Sequence, residues 1–61
     1  MKASASGYIL REARDGIANI EGYMGRRWVS VGDTLPGVGQ VSAIEKRGAD
    51  WVVVTAGGEI K

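Results

Sequence analysis

The sequence predicts a small all-β fold, a five- or six-stranded antiparallel barrel or sandwich. Three observations predict it. Short β-prone runs recur at the spacing of about 8–12 residues that marks all-β domains. Glycine-bearing turns separate those runs, with glycines at positions 16, 22, 25, 32, 37, 48, 57 and 58. The core material is β-branched, with seven Val and five Ile against two Leu and no Phe, and such side chains suit a pleated, half-buried surface. A closed barrel is favoured because closure removes sheet edges without a second layer.

Residues 1–7, Met-Lys-Ala-Ser-Ala-Ser-Gly, are small and polar and read as a flexible arm or linker ahead of a single domain over residues 8–61. Tyr8 to Arg14 is the first strand. A helix competes there, because Leu10 to Arg14 are good helix formers, but seven residues ending at Gly16 make a weak one. Asp15-Gly16 is a hairpin turn signal. Ile17 to Glu21 follows, with Ile17, Asn19 and Glu21 on one face and Ala18 and Ile20 on the other. Gly22-Tyr23-Met24-Gly25 turns the chain into Arg26 to Val31, where Trp28 faces away from Val29 and Val31.

Val31 to Gly37 is a structured loop. Gly32-Asp33 and Pro36-Gly37 are turn dipeptides, and Leu35 between them is placed to plug the core. Gly32, Asp33, Leu35, Pro36 and Gly37 are therefore its structural residues. Val38 to Lys46 is the next strand, with Val41 and Ala43 on one face, Ser42, Ile44 and Lys46 on the other, and Gly39 weakening its start or marking a bulge. Arg47 to Asp50 turns again. Trp51 to Thr55, with three consecutive valines, reads as buried on both faces and hence central. Ala56-Gly57-Gly58 leads to a short closing strand, Glu59 to Lys61.

With 61 residues, one domain is the ceiling. A chain of about 60 residues buries only roughly 60% of its unfolded surface, and this one has neither Cys nor His to add a disulfide or a zinc site. No metal and no cofactor is expected. The commonest catalytic bases and nucleophiles are missing, the seven carboxylates are scattered over turns and strand faces, and no paired-carboxylate site is legible. The expectation is a protein that is not an enzyme. Gly37-Val38-Gly39-Gln40-Val41-Ser42 matches half of a dinucleotide fingerprint, but a Pro-Gly turn precedes it and a strand follows, where that motif needs a strand and then a helix. It reads as turn.

Arg11, Arg14, Arg26, Arg27, Lys46 and Arg47 lie in sequence with Tyr8, Tyr23, Trp28 and Trp51, a combination used by oligonucleotide-binding barrels. The formal net charge of +1 argues against that use, since phosphate neutralisation supplies most nucleic-acid affinity. Trp28 and Trp51 read as core volume in a chain without Phe, and either becomes a hot-spot candidate if exposed. No run of about 18 apolar residues is present to span a membrane as a helix.

The run Gly32-Asp33-Thr34-Leu35-Pro36-Gly37, then Val41 and Ile44, then Trp51-Val52-Val53-Val54 and Gly57-Gly58 resembles the periplasmic β-domain of PilP pilus-assembly lipoproteins and the homology region of GspC-type secretion proteins. Ala18, Ile20 and Glu21 match that family's Ala-x-Ile-Glu element in slightly shifted form. Small C-terminal envelope domains of alphaproteobacteria share the loop and a Trp-Val-Val-Val-Thr strand. The resemblance covers residues 17–60. The chain departs from the family in lacking a lipoprotein cysteine and a transmembrane anchor, so the resemblance implies a domain excised from a longer protein.

What the resemblance implies is a periplasmic, non-catalytic adaptor of a pilus or secretion system, whose partners are other protein subunits of the assembly. A nucleic-acid-binding barrel and a structural oligomerisation module are the alternatives. Strand-edge pairing is one expected mode, at Ile17 to Glu21 or Glu59 to Lys61. Because aromatic residues, Met and Arg are enriched at interfaces, Tyr23, Met24, Arg26, Arg27 and Trp28 are the expected partner-binding residues.

Overall fold

The computed structural model describes residues 7–23 and 25–61. The expected arm, apart from Gly7, and the expected interface residue Met24 lie outside the described residues. The fold is all-β and antiparallel. Seven strands appear in order: β1 Ile9–Arg14, β2 Ile17–Gly22, β3 Gly25–Ser30, β4 Thr34–Leu35, β5 Gly39–Arg47, β6 Asp50–Thr55 and β7 Gly58–Ile60. Six of them are the strands read from the sequence, shifted by at most one residue at either end. The seventh, β4, is a two-residue strand inside the Gly-Asp-Thr-Leu-Pro-Gly loop, paired with Gln40 and Gly39 at the start of β5.

The strands form two sheets, β1-β2-β3 and β4-β5-β6-β7. Tight hairpins dictate this order, because a strand joined to its neighbour by a two-residue turn must pair with it. Arg14 thus pairs with Ile17, Arg47 with Asp50 and Thr55 with Gly58. The Thr55 hydroxyl donates to the Gly58 carbonyl at 2.6 Å and closes the last turn. Backbone bonds link the sheets at two seams. Leu10 N–H donates to Lys61 O at 3.1 Å. On the other side Gly32 N–H donates to Val41 O at 2.9 Å, and Val41 N–H to Asp33 O at 2.7 Å. The result is a small, partly closed barrel.

Between the sheets lies one core of Ala18, Ile20, Val29, Leu35, Val38, Val41, Val53 and Ile60, with Tyr8, Leu10, Ala13 and Ile44 packed against it. Burying such aliphatic side chains stabilises by about 1.5–3 kcal/mol each for the larger ones. β2 shows a plain period-two inward face at Ala18 and Ile20, β6 is buried on both faces at Val52 and Val53, and two bulges break the alternation elsewhere. One extra residue, Arg11, is inserted in β1 between Leu10 and Glu12, and one, Ser42, in β5 between Val41 and Ala43.

Several expectations need correction. The bulge in β5 is at Ser42 and not at Gly39, and it swaps the faces downstream: Val41 shares the inner side with Ile44 rather than with Ala43. The Ser42 hydroxyl donates to Val54 O at 3.2 Å across the irregularity. Val31 does not continue the Val29 face; the strand ends at Ser30, and Val31 stands 53% exposed in the turn. The tryptophans do not supply the core. Trp28 is 46% exposed on the outer face, and Trp51 is half-buried outside the core cluster. Strand Ile17–Gly22 is no edge; as the middle of a three-stranded meander it has partners on both sides. The outermost strands include β3 and β7, and β7 is tied at its end to β1 by the Leu10–Lys61 bond.

Candidate functional site

Strand periodicity divides the expected partner-binding residues into two groups. On β3, Arg26 pairs with Glu21 and Trp28 with Asn19, so both belong to the outer face of the first sheet. Arg27 lies between them in sequence and opposite Ile20, which puts it on the inner side. The core ends before it, and Arg27 is exposed. Its side chain meets an open cleft of about 450 Å³ instead of packed interior.

That cleft joins three separate parts of the chain: Tyr8 ahead of β1, the β2–β3 turn with Gly22, Tyr23 and Gly25, and the Pro36-Gly37 turn between β4 and β5. The Tyr8 hydroxyl donates to the Pro36 carbonyl at 2.9 Å. The Tyr8 ring lies so close to the β2 backbone that a Cβ at Gly22 would come within 2.9 Å of it. Tyr23 stands on the rim, 98% exposed. Aromatic residues and Arg are the types enriched at protein interfaces.

The loop positions its own wall of the cleft. The Asp33 carboxylate accepts from Ser30 N–H at 2.8 Å, and Asp33 N–H donates to Ser30 O at 3.1 Å, which pins the loop to the end of β3. Leu35, 1% exposed, drops from the loop into the core. Val38 N–H donates to Leu35 O at 3.3 Å around Pro36-Gly37. The φ of +86° at Gly37 is what a type II turn with Pro at its second position requires. Pro36 therefore stands on a rigid base beside Tyr8.

Electrostatics separate Arg27 from the other arginines. Arg11 and Arg26 share the Glu21 carboxylate at 3.4 and 3.7 Å, and Arg14 reaches Glu12 at 3.5 Å. Arg14 also lies 5.5 Å above the Trp28 ring centroid, a contact worth about 0.5–1 kcal/mol at an exposed site. Arg47 pairs with Glu59 at 2.9 Å and Glu45 at 3.0 Å; hydrogen bonds to Glu59, then to Glu45, raise its guanidinium pKa above the ordinary value. Among the described residues Arg27 makes no ion pair.

The outer face of the first sheet carries Ile9, Ile17 and Trp28 partly in solvent, with Arg14 over the ring. A second groove, about 600 Å³, follows the seam between β1 and β6 from Leu10–Ala13 to Asp50–Val52. Its arginines, Arg11 and Arg47, are already held by carboxylates. The basic residues weighed as a nucleic-acid patch are thus spread over both sheets, and most of the arginines are neutralised. No group of three or more acidic side chains placed to hold a metal ion occurs among the described residues, and no helix there is long and apolar enough to cross a membrane.

The structure brings together Tyr23 and Arg27 from the expected interface with Pro36 and Gly37 from the expected structural loop. It adds Gly22, which the sequence reading did not place in a site, and Tyr8, which appeared there only among the aromatics beside the basic residues. Their contact joins the residue ahead of β1 to the last residue of β2, a tertiary contact that no local pattern marks. No family model, no curated protein and no solved structure matches the chain.

Proposed function

We propose that the chain is a non-catalytic adaptor domain that binds another protein subunit of a bacterial envelope assembly, such as a pilus or secretion system, on the periplasmic side. The observation that carries the binding reading is the cleft, where an almost wholly exposed Tyr23 and an arginine without a carboxylate flank a wall fixed by the Tyr8–Pro36 hydrogen bond. Exposed aromatics and arginine on a rigid frame are the composition of interface hot spots. The envelope assignment draws on the resemblance of the Gly32–Gly37 loop and the strands after it to the PilP and GspC-type domains.

The nucleic-acid reading is weaker. Arg11, Arg14 and Arg26 face Glu12 and Glu21 on the same sheet, so little positive potential is left for a phosphate backbone. An amide-shift titration with the periplasmic N-terminal domain of a secretin tests the adaptor reading. The expected result is fast-exchange shifts at Gly22, Tyr23, Gly25 and Arg27. Absence of shifts at millimolar secretin domain, together with salt-sensitive retention on immobilised single-stranded DNA or RNA, overturns it.

A further inference from the structure

We infer that the cleft beside Arg27 takes an extended peptide segment of the partner protein in which an apolar residue adjoins a carboxylate. This deepens the adaptor reading and rests on it. The charge pattern selects the anion. Of five arginines, four are held by glutamates of the same domain. Arg27 alone has no ion pair among the described residues, and it is the one that lines this cleft. A guanidinium recognises a carboxylate through paired N–H donors. With its neighbours Arg11 and Arg26 committed to Glu21, Arg27 offers a site for one carboxylate, whereas a nucleic-acid strand brings a phosphate with every nucleotide and needs several cations.

The walls select the rest of the ligand. Tyr8, Tyr23 and Pro36 present two rings and a pyrrolidine around the same opening. An aliphatic or proline side chain covers such a surface without leaving a polar group unpaired. The Tyr8 hydroxyl is occupied by Pro36 O and Gly22 admits the Tyr8 ring, so that side of the cleft is formed before the ligand arrives, and little ordering entropy opposes binding. The third feature is the strand edge. β3 is the outermost strand of its sheet, and its edge short of Ser30, whose N–H and carbonyl are taken by Asp33, gives an extended peptide hydrogen-bonding partners.

The test is an amide-shift titration of the whole chain with two N-acetylated hexapeptides, Ala-Pro-Leu-Glu-Pro-Ala and its counterpart with Gln for Glu. The expected result is shifts at Gly22, Tyr23, Gly25 and Arg27 with the glutamate peptide, and affinity at least about tenfold lower for the glutamine peptide. Arg27→Gln, whose exposed side chain leaves the core untouched, should lose the same factor for the glutamate peptide and show no preference between the two peptides. Arg27→Lys should recover part of it. Equal affinity for both peptides overturns the inference, as do shifts confined to the Trp28 face or tighter binding of an oligonucleotide than of the glutamate peptide at the cleft. Secretin-domain binding with no response to either peptide overturns this inference and leaves the adaptor reading standing. Failure of both titrations removes both.

Discussion

The Tyr8 hydroxyl and the Pro36 carbonyl, 28 residues apart, are joined by a 2.9 Å hydrogen bond that ties the lead-in of β1 to the turn between β4 and β5. The Tyr8 ring beneath that bond needs Gly22, where a Cβ would stand 2.9 Å from the ring. Two substitutions separate the hydrogen bond from the ring. Tyr8→Phe keeps the ring and removes the hydroxyl, and should cost about 0.5–1.5 kcal/mol. Gly22→Ala keeps the hydroxyl and displaces the ring, and should cost about 1–3 kcal/mol. Urea denaturation checks both. If Gly22→Ala melts like the parent, the ring does not rest on β2 and the cleft is not preformed.

The reach of sequence reading can be judged from β1 and β5. Their existence follows from alternation and turn residues. Their faces downstream of the bulges do not, because each bulge inserts one residue and changes an i, i+2 spacing into i, i+3. Leu10 with Ala13, and Val41 with Ile44, are the inward residues, and a spacing of three is also the mark of a helix. That is why plain alternation groups Val41 with Ala43, whereas the helix that competes over Leu10 to Arg14 rests on good helix formers. The hairpin turns were legible because Asp15-Gly16 and Pro36-Gly37 carry their own backbone requirement. The cleft was half legible. Residue types pointed to Tyr23 and Arg27, whereas the closure by Tyr8 depends on a tertiary contact that no local pattern encodes.

Two glycines of the loop carry a backbone requirement of their own. Gly32 has φ +101° and Gly37 φ +86°, a region that a β-branched residue hardly enters. Nothing lies within 4 Å of a Cβ at Gly32, so its substitution tests strain free of collision. Gly32→Val and Gly37→Val should each destabilise by about 1–3 kcal/mol, which for a domain of this size lowers Tm by several to roughly 20 °C. Calorimetry reads the effect directly. Unchanged melting in both variants would show that the loop adopts a conformation other than this one.

Leu35 turns the loop from a connection into part of the core. It is 1% exposed and belongs to the same cluster as Ile20, Val41 and Ile60. Leu35→Ala should cost about 2–5 kcal/mol, a large part of the stability available to so small a domain. The neighbouring Asp33→Ala removes only the acceptor for Ser30 N–H and should cost about 1–3 kcal/mol by leaving that donor unpaired. The ordering is the prediction: equilibrium unfolding should show Leu35→Ala as the more damaging of the two. The reverse order would mean that the loop is held by its hydrogen bonds and contributes little to the core.

Asn19 runs the other way. It sits in the middle of β2, on the outer face between Glu12 and Trp28, and its Oδ1 is buried without a hydrogen-bond partner. A buried acceptor left unmade costs about 1–3 kcal/mol, and Asn is a poor strand former. Asn19→Val removes the acceptor, supplies a β-branched side chain and extends the apolar contact of Ile17 and Trp28 along the same face. It should raise stability by about 0.5–2 kcal/mol, seen as a higher urea midpoint with an unchanged slope. The variant also enlarges the exposed apolar area of the first sheet, so sedimentation velocity at high concentration belongs in the same experiment. A monomer with a raised midpoint confirms that the Asn19 carbonyl is a stability deficit of the native sheet. A lowered midpoint in a monomer means that the Asn19 side chain finds hydrogen bonds on this face and stabilises the strand it occupies.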